Sequence, residues 1–178
     1  MFTISTSKRL FALTAVLLPF DVYHYGQNIG WGAYFTFGRF VNSNAVGTQF
    51  LTPIRLYRLN NRFDPSGRVA LFCWLGAAAL ALLATLYILA TWIVKPPVLE
   101  RRGDRTVGVA FIVSGGLFIL SRALLYDQWL VGSSTNVHWF SMPIGAVYML
   151  FVGAIFYRDL FQIWVDTDDS ASSTVSDG

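Results

Sequence analysis

Cysteine and charge are what this 178-residue sequence has least of. Its single cysteine, Cys73, lies inside an apolar run, so an internal disulfide is impossible and the paired thiols of a zinc or redox site are missing. Charged residues make up 13% of the chain, whereas a typical soluble domain carries about 25%. Such a deficit is expected where much of the surface faces lipid. No dense basic arm accompanies the net charge of +3, so we expect no nucleic-acid partner.

Catalytic motifs are also missing. The sequence contains no HExxH, no nucleophile elbow, no Walker-type loop and no CxxC. Ser114 and Ser121 lie in an apolar segment, and no general base is placed within a turn or two of either hydroxyl to activate it. The sequence therefore supports no enzymatic function.

Long apolar runs are what the chain has in abundance. Residues 69–94 contain no Lys, Arg, Asp or Glu, and a membrane-spanning helix needs about 20 mainly apolar residues. We therefore predict an all-α integral membrane protein, a four-transmembrane-helix bundle forming a single domain over residues 1–165. The predicted spans are residues 10–27, 69–94, 106–126 and 137–157.

The first of these spans has a second interpretation. Lys8 and Arg9 precede the apolar residues 10–20, which is also the pattern of a secretory signal peptide. No small-x-small cleavage site follows, so we interpret the segment as an uncleaved span, kinked at Pro19. A cleaved signal peptide is the alternative.

The connection between the first two spans is predicted to lie at the membrane surface. Residues 29–41 are rich in Trp, Tyr and Phe, whose amphipathic rings prefer the headgroup level. Arg55, Arg58 and Arg62 follow at helical spacing among apolar residues. They indicate a short helix lying in the interface. The fold prediction thus includes an aromatic, partly helical interfacial segment between helices 1 and 2.

Basic residues near the spans predict the orientation in the cell membrane. With four spans, seven of the basic residues fall on the same side of the membrane. That side should be the cytoplasm, and both termini lie on it. This group consists of Lys8, Arg9, Lys95, Arg101, Arg102, Arg105 and Arg158. Residues 166–178 are acidic and Ser-rich, and we predict a disordered cytoplasmic tail.

Five ionisable residues map to the outer leaflet under this topology and form the one candidate site. Ionisable groups at membrane depth are costly and usually have partners or functions. Asp21 and His24, three residues apart, would share a helical stripe. Arg122 could reach the headgroups, or pair with Asp127 or Asp21. The candidate residues are Asp21, His24, Arg122, Asp127 and His138.

The two histidines raise a separate possibility. His24 and His138, on different predicted helices, could ligate a haem iron or, with Asp21, a metal ion. Neither histidine belongs to a known ligand spacing, and solvated interfacial histidines are the ordinary alternative. We therefore expect no cofactor and keep a haem or metal ion as the alternative.

These observations favour a non-catalytic accessory or structural subunit of a membrane complex. Ala77, Ala81 and Ala84 form a small-residue stripe that lets another helix approach closely. The expected partners are the lipid bilayer and another membrane protein or a second copy of the chain. One alternative is a small transporter or channel component with an outer polar vestibule, and the other is a membrane haem or metal redox subunit that uses His24 and His138.

Overall fold

The computed structural model describes residues 4–26, 29–45, 47–60, 65–91, 100–126, 132–134 and 139–160. Helices and a sheet are both present in this part of the chain. The helices are α1 (Ile4–Leu17), α2 (Pro53–Asn60), α3 (Pro65–Ala90), α4 (Glu100–Tyr126) and α5 (Ile144–Arg158). The strands are β1 (Asp21–Tyr25), β2 (Gly30–Phe35), β3 (Gly38–Ser43), β4 (Gly47–Leu51), β5 (Gly132–Ser134) and β6 (Trp139–Met142).

The six strands form one antiparallel sheet in the order β4-β3-β2-β1-β6-β5. The first four strands follow one another along the chain, whereas β5 and β6 join the sheet after α4. Strand β1 is therefore central, with Asp21 opposite Tyr34 of β2 and Tyr23 opposite Ser141 of β6. This register brings residues more than a hundred positions apart into contact.

Side chains alternate across the sheet, as the period of a strand requires. On β1, Asp21 and Tyr23 point to the inner face and are buried, whereas His24 points to the outer face and is exposed. The Tyr23 ring crosses β2 at Gly32, where a Cβ atom would collide with the tyrosine hydroxyl. A glycine is needed at this position because of that close approach.

Helices α1, α3, α4 and α5 pack in alternating directions, with the sheet at one end. At this sheet end, the Gly145 N–H donates to the Pro19 carbonyl over 3.0 Å. At the opposite end, Lys8 of α1 meets Asp104 of α4 and Asp159, which follows α5. Between the two ends, Ser114 Oγ of α4 donates to the Ala77 carbonyl of α3 over 2.7 Å. Glycine allows close packing of α4 and α5, since a Cβ on residue 153 would lie 2.8 Å from the residue 108 carbonyl oxygen.

The predicted all-α, four-transmembrane-helix bundle is wrong. Among the described residues, two helical segments are long and apolar enough to cross a membrane, Ser66–Ala90 and Gly103–Leu125. They coincide with the second and third predicted spans. The first and fourth predicted spans each combine a strand with a helix of 14 or 15 residues.

Proline explains both of these errors. Pro19 lacks an N–H and disfavours helical backbone at Leu18, so α1 ends at Leu17 and β1 follows. The sequence interpretation treated this proline as a kink within one span. Pro143 separates β6 from α5 in the same way at the fourth predicted span.

The prediction for the aromatic segment after the first helix is also wrong. Residues 30–35 and 38–43 form the paired strands β2 and β3 rather than an interfacial layer. Aromatic residues favour strands as well as membrane surfaces, so their enrichment here fits either structure. A short helix, α2, does follow at Arg55 and Arg58. Arg62 and the predicted tail lie outside the described residues.

Candidate functional site

A buried ion pair joins the sheet to helix α4. Asp21 is the first residue of β1, Arg122 lies one turn before the end of α4, and Ser141 is in β6. The sheet register and the helix packing bring all three together on the inner face of the sheet at the sheet end of the bundle. None of the three side chains has significant contact with solvent. We refer to Asp21, Arg122 and Ser141 as the buried triad.

Every pair within the buried triad is hydrogen-bonded. Arg122 Nε donates to Asp21 Oδ1 and to Ser141 Oγ, both over 3.2 Å. Arg122 Nη2 donates to Ser141 Oγ over 2.9 Å and to the Ser141 carbonyl over 3.1 Å. The Ser141 hydroxyl donates to the Asp21 carboxylate, 2.8 Å from Oδ1 and 3.1 Å from Oδ2. The serine thus bridges the two charges by accepting from one and donating to the other.

The burial of the triad changes the titration of its acid. Burial raises the pKa of Asp21 from 3.8 to about 6, because removal from water penalises the carboxylate. The hydrogen bond from Ser141 and the charge of Arg122 act in the opposite direction and lower the pKa, without offsetting the burial. The carboxyl therefore changes its charge in a pH range where an exposed aspartate is already ionised.

A second cation, half-buried, lies beside the triad. The Arg39 guanidinium lies 4.8 Å from the ring centroid of Tyr23 and 4.7 Å from that of Tyr34, within cation–π range. Its Nε donates to the Tyr23 hydroxyl over 2.9 Å. Burial raises the pKa of Tyr23 to about 12, although Arg39 lowers it. The phenol therefore stays neutral at physiological pH.

The structure brings together two of the five predicted site residues. Arg122 pairs with Asp21, which was one of the pairings considered from the sequence, and its side chain is buried rather than extended to headgroups. His24 does not join them, because residues three apart on a strand face opposite sides. Asp127 and His138 lie outside the described residues, so their part in the site and the haem alternative stay predictions.

Ser141 and Arg39 are the contributors that sequence reasoning missed. In the short segment Trp139–Met142, the hydroxyl of Ser141 lies between the large apolar side chains of Phe140 and Met142. A strand interpretation of this pattern would have pointed Ser141 to the face opposite Phe140 and Met142. Arg39 gave no comparable signal, because its tyrosine contacts depend on the pairing of three strands.

A second polar cluster lies at the opposite end of the bundle. Lys8 forms an ion pair with Asp104, and its Nζ lies 4.0 Å from Asp159 Oδ1. Asp159 adopts a left-handed backbone conformation just after α5. These side chains keep some contact with solvent. We refer to Lys8, Asp104 and Asp159 as the opposite-end cluster.

The chemistry available at the buried triad is structural rather than nucleophilic. The Ser141 hydroxyl accepts a hydrogen bond from Arg122 and donates one to Asp21, and it has no contact with solvent. A nearby cleft of about 20 Å³, lined chiefly by apolar side chains such as Leu56 and Trp74, is partly open. It has room for little more than one water molecule and is far smaller than typical ligand sites. No group of three or more His, Cys, Asp or Glu suited to a metal ion occurs among the described residues.

Comparison with protein-family models gives no match for the chain, and comparison with curated proteins gives none either.

Proposed function

We propose that this chain is a membrane protein that serves as a non-catalytic accessory or structural subunit. Helices α3 and α4 cross the bilayer, and α1 and α5 pack beside them over part of its thickness. The sheet lies outside the hydrocarbon at one end and offers its outer face to a partner. The observation that carries this proposal is the distribution of large and small side chains on α3.

Over its middle, residues 77–86, helix α3 buries alanines and exposes Leu82, Leu83 and Leu86, whereas the larger Leu71, Trp74 and Ile88 are buried nearer its ends. Ala77 and Ala81 are buried, whereas Phe72 is 60% exposed and Leu83 is 64% exposed. The core helix of a soluble protein would bury its large apolar residues, because their transfer from water is the main driving force of folding. The reverse pattern supports a helix whose outer face meets lipid, where small residues allow close helix packing.

The other bundle helices show the same exposed apolar surface. Exposed apolar side chains on every bundle helix are unusual for a monomeric soluble protein, and 44% of the apolar window of each candidate span is buried. Helices α1 and α5, at about 1.5 Å per residue, cover only part of an about 30 Å hydrocarbon core. The exposed side chains are Leu10, Leu13 and Leu17 on α1, Val109, Ile112 and Val113 on α4, and Ile144, Val147 and Phe151 on α5.

The interior of the bundle supports a structural role over a transport role. Between the buried triad and the opposite-end cluster, the buried hydroxyls of Ser114 and Thr85 each bond to a carbonyl of a neighbouring helix. The buried residues around them are mostly alanine and phenylalanine. No chain of polar side chains connects the two ends within the described residues.

The outer face of the sheet is the proposed contact surface for a partner protein. Trp31 and Phe140 lie directly on either side of His24 in the register, and all three are exposed. Exposed aromatic residues in a contiguous group are typical of protein–protein contacts. Six basic residues belong to the helix ends at the opposite end of the bundle, Lys8, Arg9, Arg101, Arg102, Arg105 and Arg158, against Arg39, Arg55, Arg58 and Arg68 at the sheet end. We assign the more basic end and both termini to the cytoplasm.

Purification in a mild detergent or in lipid nanodiscs tests this proposal. The natural protein should carry a second membrane protein or form a dimer, measured by light scattering and mass spectrometry. Trp31→Ser with Phe140→Ser should abolish the association, whereas Leu83→Ala, on the lipid-facing side, should leave it intact. A folded, solitary monomer from the native membrane would contradict the proposal.

A proton-coupled transporter component is the second candidate, favoured by the raised pKa of Asp21. In this alternative, Asp21→Asn should abolish flux in vesicles at unchanged protein level. Flux that is unaffected by Asp21→Asn and by Arg122→Gln would rule it out.

A further inference from the structure

We propose that the corner formed by α2 and the start of α3 binds the phosphate headgroups of anionic phospholipids. The corner consists of Ile54, Arg55, Tyr57 and Arg58 on α2, with Arg68 and Phe72 on α3. This inference rests on the proposed membrane placement of α3 and names the lipid class that the protein selects.

Three arginines of the corner are exposed. Arg55 and Arg58 are three residues apart on α2 and therefore lie on neighbouring positions of one helical face. Arg68 is exposed in the first turn of α3. Helices α2 and α3 themselves contain no Asp or Glu, and Asp64 between them lies outside the described residues. The guanidinium group suits phosphate because its planar set of donors matches the oxygens in pairs.

Aromatic and aliphatic side chains connect these arginines to the lipid-facing surface. The rings of Tyr57 and Phe72 lie 6.4 Å apart, and this contact joins the two helices. Phe72 lies one turn after Arg68 on α3, and Arg58 directly follows Tyr57. Basic groups thus flank an exposed aromatic pair, as expected at the level where hydrocarbon gives way to headgroups.

The attachment of α2 gives the corner a defined geometry. Leu56 is buried, while its neighbours Arg55 and Tyr57 are exposed. Ile54, also exposed at 69%, would enter the apolar layer beside Phe72. A lipid bilayer satisfies both parts of this surface at once, since it offers phosphates above and hydrocarbon below. An acidic protein partner would match only the arginines.

The opposite end offers a matched control, because its exposed arginines have acidic neighbours. Arg105 follows Asp104, and Arg158 precedes Asp159. Asp104 and Asp159, which face Lys8, bring negative charge to this end, whereas α2 and α3 contain no acid. Arg105 and Arg158 should therefore attract anionic lipid less strongly than Arg55 and Arg58 do.

The experiment compares purified full-length proteins in nanodiscs of phosphatidylcholine with and without phosphatidylglycerol. Native mass spectrometry counts the phosphatidylglycerol retained on each protein. The parent protein should retain it preferentially, and R55Q/R58Q should lower the preference by about tenfold or more, given the attraction per basic residue. R55K/R58K should keep part of the preference, and R105Q/R158Q should change it by less than about twofold.

The outcomes separate this inference from the proposed function. Equal retention by the parent and by R55Q/R58Q would overturn it, as would an equal loss in R105Q/R158Q. An acidic protein that copurifies through Arg55 and Arg58 while lipid preference is absent would also overturn it. Failure of the parent to enter nanodiscs at all would instead reject the membrane placement.

Discussion

The two ends of the bundle carry ion-pair clusters that differ in their access to water. In the buried triad, Asp21 and Arg122 have no exposed side-chain surface, and Ser141 bridges them. In the opposite-end cluster, the Lys8 side chain is 18% exposed. Both clusters join segments distant in sequence, so sequence separation does not distinguish them.

Burial, more than charge, decides how much each cluster contributes to the free energy of unfolding. An ion pair near the surface contributes about 0–1 kcal/mol, because water screens its charges. When one partner of a buried pair is removed, the remaining charge is left without solvent or counter-ion, at a cost of about 3–5 kcal/mol. We therefore expect the buried triad to control the attachment of the sheet, and the opposite-end cluster, which keeps some contact with solvent, to contribute less to stability.

The largest expected effect follows from Arg122→Met. This change keeps a long apolar side chain on α4 but leaves the Asp21 carboxylate buried without its cation. The free energy of unfolding, measured in detergent by intrinsic fluorescence, should fall by about 3–5 kcal/mol.

A double variant is the control for that experiment. Asp21→Leu combined with Arg122→Met removes both charges and should recover most of the stability, because apolar replacement of a buried pair is often neutral. If Arg122→Met alone lowers the free energy of unfolding by less than about 1 kcal/mol, the value typical of an exposed pair, the buried triad is no more important for stability than a surface ion pair.

The second effect is a dependence of stability on pH. The folded protein has a raised pKa at Asp21, about 6 instead of 3.8, so it binds more protons than the unfolded chain between these values. Its stability should therefore fall as pH rises from about 4 to about 6, by up to about 3 kcal/mol from this group. Above pH 6 this contribution is constant.

Thermal unfolding of the parent and of Asp21→Asn across this pH range measures that contribution. The difference in unfolding free energy between the two proteins should change with pH by the amount stated. A difference that changes in the opposite direction would mean that Arg122 outweighs burial.

The third effect concerns the bridging hydroxyl. Ser141→Ala removes the hydroxyl that accepts from both Nε and Nη2 of Arg122 and donates to Asp21, and we expect a loss of about 1–3 kcal/mol. Ser121→Ala is the matched control, because its buried hydroxyl donates to the neutral Ala70 carbonyl and its loss should cost about 1 kcal/mol. Equal losses in chemical denaturation would show that the charges around Ser141 add nothing.

The smallest effect is expected at the opposite end. Lys8→Ala removes the cation shared by Asp104 and Asp159. Their carboxylates keep little contact with solvent, so the free energy of unfolding should fall by about 1–2 kcal/mol, between the values of an exposed pair and of a buried one. Added salt should reduce even this difference. A loss comparable with that of Arg122→Met would show that the opposite-end cluster is not screened by solvent.

The sequence allowed the two long helices to be predicted, because an uncharged apolar run of membrane-spanning length is too long for a single strand. The predicted spans 69–94 and 106–126 overlap α3 and α4 closely. The small-residue stripe at Ala77, Ala81 and Ala84 is buried, as expected of a packing surface.

The sheet could not be predicted from composition alone. The alternation in Asp21–Tyr25 and Trp139–Met142 spans only five and four residues, and hydrophobicity summed over a longer window merged each strand with its neighbouring helix. The pairing of β1 with β6 depends on contacts across more than a hundred residues, which no local pattern contains.

The candidate site was predicted in part for the same reason. Asp21 and Arg122 were conspicuous as rare ionisable groups in apolar surroundings, and their pairing could be considered from charge alone. His24 was grouped with Asp21 because a helical period was assumed where the chain forms a strand. Ser141 carries no charge, so nothing in its residue type marked it.

The most direct test of the account is whether the large exposed side chains of α3 face lipid. In a Cys73→Ala background reconstituted into liposomes, Leu83→Cys on α3 and Thr48→Cys on β4 are treated with a water-soluble maleimide. Both positions are exposed, so they differ only in their predicted surroundings. We predict that Thr48→Cys reacts in intact liposomes and that Leu83→Cys reacts only after denaturation. Equal labelling rates at the two positions in intact liposomes would contradict the membrane placement.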